Sequence, residues 1–278
     1  MTFERLGDSP LDYMPCRYGT SKLMFRGPKR RPEGPHAVFL GGTETYGKYI
    51  ARPFPALVEA ATGLPCVNLG WPNAGVDVFL RDAEILRIAS AAQAVVLQLP
   101  AAQNMSNRYY SVHPRRNDRF LRASTMMRAM FREVDFTEFH FTRHMLRRLK
   151  ELAPDRFNLI RDELQAAWSA RMGLLLGRIE APVVLLWMSR HAPGCLADRP
   201  DLSQDPAFVT RAMVEALRDK AQAVIEVPAS PQALAAGTSG MIFPETEAQA
   251  ASRLLGPLAH QEVAAELAPV LSGLIADA

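Results

Sequence analysis

A three-layer α/β/α sandwich built on a five-stranded parallel sheet is the fold predicted by this chain, on three observations. Five short runs are apolar on consecutive residues, helical segments lie between them, and the 278 residues are 48% apolar and 22% charged, the balance of an ordered globular chain. Strands covered on both faces lose the in-out alternation and read as continuous apolar runs. Alternation of such strands with helices argues for a parallel sheet with helices on both faces. We expect a single α/β domain over 1–278, with 105–178 as a helical insertion.

The strands are expected at 36–40 (HAVFL), 66–69 (CVNL), 94–99 (AVVLQL), 182–188 (PVVLLWM) and 223–227 (AVIEV). Helices are expected at 55–62, 77–90, 118–131, 137–152, 155–178 and 205–220, from the spacing of their apolar residues. Closing helices are expected at 245–255 and 261–276. The last carries Val263, Leu267, Val270, Leu271, Leu274 and Ile275 at helical spacing. That stripe either packs on its own sheet or offers a homodimer surface.

The strand rhythm breaks once, where about eighty residues separate the third run from the fourth. This segment holds Tyr109, Tyr110, Phe120, Phe131, Phe136, Phe139 and Phe141, enough for a small core of its own beneath a lid over the sheet. It is also basic. Residues 105–150 hold eleven Arg or Lys against four acids, whereas the chain from 221 onward has one base and six acids. A basic middle fits an anionic ligand or nucleic acid. The chain lacks zinc-finger, helix-turn-helix and RNP patterns, so nucleic acid is not expected as a partner.

Cys16, Cys66 and Cys195 are an odd, sparse set without CxxC spacing. Neither a disulfide framework nor a zinc finger is expected, and a reducing cytoplasm fits. The N-terminus carries acids and has no basic end followed by an apolar run, and the longest apolar stretch is the seven residues at 182–188. Neither secretion nor membrane association is expected. His140 and His144 share one helix face, but the Glu of HExxH is missing and Arg143, Arg147 and Arg148 would repel a cation. No metal and no resident cofactor are expected.

In parallel sheets ligands sit beyond the carboxyl ends of the strands, which directs the search to the loop after the first run, VFLGGTETYGKY. From Gly42 it has the G-x-x-x-x-G-K spacing of a phosphate-binding loop, with Lys48 to reach a terminal phosphate and phosphoryl or sulfuryl transfer as the chemistry. Against that stand Tyr49 where a hydroxyl should hold magnesium, and Pro53 and Pro55 in the helix that should bear the phosphates.

The same loop resembles the first sequence block of the SGNH (GDSL-type) hydrolases, G-D-S-x-T-x-G, with Gly41, Thr45 and Gly47 in register. NLGWPNAG at 68–75 is similar to the second block, and GMIFPETEAQAASRLL at 240–255 resembles the final D-x-x-H-P block with its helix. The likeness covers most of the chain as an order of elements, but only short motifs as residues. It implies the same fold and hydrolysis or transfer of an acyl or ester group on a small or carbohydrate-type ligand.

The departures fall on the chemistry. In register, Thr43 takes the place of the nucleophilic serine, Gly42 that of the Asp before it, and Gly240 and Phe243 those of the acid and the histidine. A hydroxyl becomes a useful nucleophile only when a base takes its proton, and a phenyl ring cannot. Asn73 stands where a glycine N–H would help form the oxyanion hole, with Gly75 two places on, and Asn104 matches the third block when shifted by two residues. The resemblance therefore implies Thr43 as nucleophile or orienting hydroxyl and Asn104 as an oxyanion donor. His191 after the fourth strand, or His113 after the third, would replace the base. Glu44, Asn73, Gly75 and Arg108 are the expected ligand-binding residues, Arg108 as an anion clamp beside Tyr109 and Tyr110. A protein that kept the fold, lost the base and only binds its ligand is the alternative.

Overall fold

A computed structural model describes residues 10–194, 202 and 204–276. The first nine residues and Cys195, on which two of the expectations rest in part, lie outside the described residues.

The five expected strands form one parallel sheet. They are β1 (Ala37–Leu40), β2 (Cys66–Asn68), β3 (Ala94–Gln98), β6 (Val183–Ser189) and β7 (Ala223–Pro228), in the order β2-β1-β3-β6-β7. Registers run Val38↔Val67, Val38↔Val95, Leu97↔Leu185 and Leu186↔Ile225. The pleat sorts their side chains. Val38, Leu40, Val95, Leu97, Leu185 and Trp187 enter one core, and Ala37, Phe39, Val96, Val184, Leu186 and Met188 enter the other.

The second core is closed by α2 (Phe54–Thr62), α9 (Pro231–Ala236) and α11 (Pro257–Ala276). On α11, Val263, Leu267 and Leu271 are buried against the sheet, and Val270, Leu274 and Ile275 pack partly buried against the same cluster. The first core is closed by α3 (Val76–Leu80), α4 (Ala83–Ser90), α6 (Thr142–Leu152), α7 (Pro154–Leu176) and α8 (Arg211–Glu215). The remaining helices are the single turn α1 (Thr43–Tyr46), α5 (Thr125–Met130) and α10 (Ala248–Ala251). Among the described residues no helix is long and apolar enough to cross a membrane.

Two helical expectations are shortened, 137–152 to a helix from Thr142 to Leu152 after a 3-10 turn at Phe136–Glu138, and 245–255 to a 3-10 turn at Glu245–Glu247 followed by the single turn Ala248–Ala251. Three more are corrected. The segment 77–90 is two helices, because the Asp82 carboxylate accepts the N–H groups of Glu84 and Ile85 and so starts a new helix. The segment 205–220 is helical only from Arg211 to Glu215, where the Thr210 hydroxyl caps the Met213 N–H, apart from a 3-10 turn at Arg218–Lys220. The third correction changes the insertion, which is not wholly helical. Within 118–131 lies β5 (Phe120–Ala123), paired antiparallel with β4 (Tyr110–Val112), and only α5 beyond it is helical. Tyr110, Phe120 and Phe136 form a ring cluster under this hairpin. The last part of the insertion, α7, belongs to the main layer: it packs on α3, and its buried Trp168 donates from Nε1 to the Pro100 carbonyl at 2.8 Å.

Candidate functional site

Loops following β1, β2, β3 and β6 meet at the carboxyl edge of the sheet. In this strand order the connections from β1 and β3 leave toward opposite faces, and the crevice between two such strands is where doubly wound sheets take their ligands. Thr43 lies just beyond β1 and Asn104 beyond β3.

The loop after β1 is held from inside. At the end of β3, Gln98 accepts at Oε1 from Gly42 N (3.2 Å), Thr45 N (3.2 Å) and the Thr45 hydroxyl (2.5 Å). From the other side Arg26, only 5% exposed, donates to the carbonyls of Gly47 (2.5 Å) and Ala51 (2.9 Å). Helix α1 ends after one turn at Gly47, whose φ of +74° suits a residue without a Cβ.

Thr43, Asn73 and Asn104 are brought together. Asn73 N donates to Thr43 Oγ1 at 3.1 Å, and the Thr43 hydroxyl donates to Asn73 Oδ1 at 3.4 Å. Asn104 Nδ2 donates to the Asn73 carbonyl at 3.0 Å, while its Oδ1 accepts from the Thr142 hydroxyl at 3.2 Å. Asn73 has φ +55°, a left-handed conformation that asparagine tolerates better than most residues. Gly75 touches the same wall: a Cβ there would lie 1.6 Å from the Asn104 carbonyl oxygen, so only glycine fits.

The insertion meets this cluster through 113–118, at an Asn73 that stays exposed. The Trp71 indole donates to the Arg115 carbonyl (2.5 Å), Asn73 Nδ2 to Asp118 Oδ2 (3.2 Å) and Gly75 N to Asn117 Oδ1 (2.9 Å). Asn117 is fully buried and returns its amide to the His113 carbonyl at 3.1 Å. Burial raises the Asp118 carboxyl above its ordinary range against the pull of Arg119 and Arg116.

Glu44 faces another set of groups. Burial, with the charge of Asp205 adding to it, pushes the Glu44 carboxyl up to about 7 against the pull of Gln98 and Arg190. Asp205 is itself bound by Arg143 at 2.5 Å.

The other expected residues have their contacts elsewhere than on Thr43. The His191 ring packs edge-on to Trp187 and shares Nδ1 with the Ala192 carbonyl at 3.0 Å. His113 accepts the Arg115 and Arg116 N–H groups at 3.2 Å, and burial with those two arginines lowers its pKa. Arg108 pairs with Glu163 of α7 at 3.3 Å. Phe243 packs edge-on against Tyr49, and Gly240 lies beside Pro257. Lys48 turns to Glu247 at 3.6 Å. The amides of Gly42 and Thr45 are spent on Gln98 and those of Tyr46 and Gly47 on carbonyls of their own turn, so none of these four is left to cradle a phosphate. His144 packs against Phe139, and among the described residues no three His, Cys, Asp or Glu side chains converge as metal ligands do.

Sequence reasoning missed Gln98, Asp118 and Arg26. Gln98 had a signal, being the one polar residue in the apolar run 94–99. The other two reach the site only through tertiary packing.

Among solved structures the chain is similar to a gut microbial diltiazem-metabolizing enzyme, 14% identical over 88% of this chain and 48% of that one, with a TM-score of 0.43. A salicylyl-acyltransferase from a tetracycline biosynthetic pathway is 13% identical over 91% and 57%, TM-score 0.42. A protein described as a GDSL-like lipase from Bacteroides ovatus is 16% identical over 92% and 58%, TM-score 0.38. The chain thus spans about half the length of these structures. A search of curated proteins gives no match. One family model matches residues 1–275, nearly the whole chain, and by that match the protein belongs to the family described as a domain of unknown function, DUF6473.

Proposed function

We propose that this protein hydrolyses or transfers an acyl or similar ester group on a small or carbohydrate-type molecule, with Thr43 as the reacting or orienting hydroxyl. The observation that carries the reading is the hydrogen-bonded convergence of Thr43, Asn73 and Asn104 from the loops after three adjacent parallel strands. An N–H aimed at a hydroxyl oxygen stabilises the negative charge that grows there as the proton leaves. Asn73 N is so aimed, 3.1 Å from Thr43 Oγ1. In this reading Asn104 fixes the loop that presents that N–H, and the 113–118 segment keeps water from the bound ester.

A second reading, binding without turnover, is favoured by one specific observation: the hydrogen bonds of the Thr43 hydroxyl go to Asn73, and neither His191 nor His113 is among its partners. The two readings separate in one assay, hydrolysis of short-chain p-nitrophenyl esters by wild type, Thr43→Ala and His191→Ala. Turnover lost in Thr43→Ala supports the acyl-handling site. Turnover absent from wild type, or indifferent to Thr43, moves the assignment to ligand binding.

A further inference from the structure

The Thr43 hydroxyl has one hydrogen and two lone pairs, and all but one lone pair go to a single neighbour. The Asn73 main-chain N–H donates to Oγ1 at 3.1 Å, and the hydroxyl hydrogen goes to Asn73 Oδ1 at 3.4 Å. One lone pair is left for a ligand. What turns Oδ1 rather than Nδ2 toward Thr43 is Asp118, whose Oδ2 accepts from Asn73 Nδ2 at 3.2 Å. An ionised carboxylate accepts and cannot donate, so it takes only the NH2 end of the amide. Asp118 is itself held in place. Its carbonyl accepts the Thr142 N–H at 2.9 Å, and the preceding Asn117 is fully buried and bonded to Gly75 N at 2.9 Å.

We propose that Asp118 is the positioning residue of this site, and that through the Asn73 amide its charge decides whether Thr43 offers the crevice a lone pair or a hydrogen. Its effect on turnover rests on the acyl-handling reading; the orientation of the hydroxyl does not. With Asp118 ionised, the hydrogen stays on Asn73 and the Thr43 oxygen faces the ligand with its free lone pair. With Asp118 protonated, its O–H donates to Oδ1, the amide turns over, and Nδ2 takes the second lone pair of Thr43. The hydroxyl then points its hydrogen into the crevice and has no lone pair to turn toward an acyl carbon. At Thr43 only the direction of the O–H bond changes.

The charged groups facing Asp118 come from its own loop. They are Arg119 and Arg116, which favour its anion, and His113, whose proton affinity the carboxylate raises. From the loop after β2 it meets the uncharged Asn73, and from α6 the Thr142 N–H. Burial outweighs the two arginines, so the carboxyl takes its proton above the pH at which ordinary aspartates do.

Side-chain NMR of wild type, Asp118→Asn and Asp118→Glu across pH tests the link, alongside p-nitrophenyl ester hydrolysis by the same proteins. The Asn73 NH2 pair is identified by its loss in Asn73→Gly and the Thr43 methyl by its loss in Thr43→Ser. Both are expected to shift together in wild type, at one midpoint above the ordinary aspartate range, to stop titrating in Asp118→Asn and to titrate again in Asp118→Glu. In wild type kcat/KM is expected to fall on the acid side at that same midpoint. In Asp118→Asn kcat is expected to fall about tenfold or more at neutral pH, with KM within about twofold and the acid fall gone. An Asn73 amide that does not titrate, or still titrates in Asp118→Asn, overturns the link to Asp118. A Thr43 methyl that stays still while the amide moves overturns the link to the hydroxyl. Undiminished hydrolysis in Asp118→Asn overturns the role in turnover. Should wild type hydrolyse no ester while both resonances move as expected, the acyl-handling reading fails and the orientation of Thr43 by Asp118 stands.

Discussion

Asn73 donates its main-chain N–H to Thr43 Oγ1 and its side-chain amide to Asp118 Oδ2, so one left-handed residue ties the loop after β1 to the loop of the insertion. The backbone conformation and the side-chain bonds are separate contributions, and substitutions separate them. Asn73→Gly removes the side chain and tolerates the φ of +55°, whereas Asn73→Ala keeps a Cβ in a conformation costing roughly 1–2 kcal/mol for an L-residue and loses the polar side chain that eases it in asparagine. Urea unfolding is expected to show Asn73→Ala about 1 kcal/mol less stable than Asn73→Gly, after allowance for glycine's unfolded-state entropy. Equal stabilities would mean that the loop relaxes out of this conformation at no cost.

At Gly75 the constraint is steric. A methyl group 1.6 Å from the Asn104 carbonyl must push two loops apart, and overpacking of this kind costs typically about 1–3 kcal/mol. Gly75→Ala is expected to unfold at lower urea and to lose the Thr43-dependent activity or binding with it, because Asn104 carries the Asn73 carbonyl. Retention of both in Gly75→Ala would remove the close approach from the account.

The 113–118 segment is fastened by Asn117, fully buried and bonded to Gly75 N and to the carbonyls of His113 and Pro114. In Asn117→Ala these groups lose their partner, at about 1–3 kcal/mol for each polar group left buried. Hydrogen exchange is expected to quicken across 110–120 and at Gly75, with the β3–β6 ladder unchanged. Uniform quickening would show that the segment does not open separately from the sheet.

His260, buried in α11, accepts the Phe54 N–H at Nδ1 and stacks on the Phe54 ring, and burial beside Arg26 drives its pKa down to about 3. Below about pH 6.5 the unfolded chain takes up a proton that the folded chain refuses, so stability falls as pH drops from there toward 3, by up to about 1.4 kcal/mol per pH unit. His260→Gln keeps an acceptor without a titrating ring. Its stability at pH 7 and pH 5 is expected to differ less than that of wild type, and an equal difference would place the acid sensitivity elsewhere.

The strands β1, β3 and β6 were legible because each is buried on both faces, so apolar residues run through both parities, and the partly buried edge strand β7 still reads as a short apolar run. The hairpin was not. In β5 only Phe120 and Ala123 are buried, and the Leu121 and Arg122 between them break the alternation that marks a half-exposed strand. Thr43, Asn73 and Asn104 could be found because loops after parallel strands must meet at one edge. Asp118 lies far along the chain from the Asn73 it bonds, and no spacing rule connects them. His191 stands on the expected loop, but the direction of its ring is decided by Trp187 and the Ala192 carbonyl.

The central ladder of the sheet joins Val95 to Val183, with the whole insertion and α7 between them in the chain. During synthesis β1, β2 and β3 can pair while the partner of β3 is still unmade, and at ribosomal speeds that interval is on the order of ten seconds. Throughout it the β3 edge presents Val95, Val96 and Leu97 beside unpaired main-chain groups, a template for any stray strand. Chaperone engagement of a nascent chain halted near residue 180, and its release once β6 emerges, would be the cellular counterpart of this one long-range pairing.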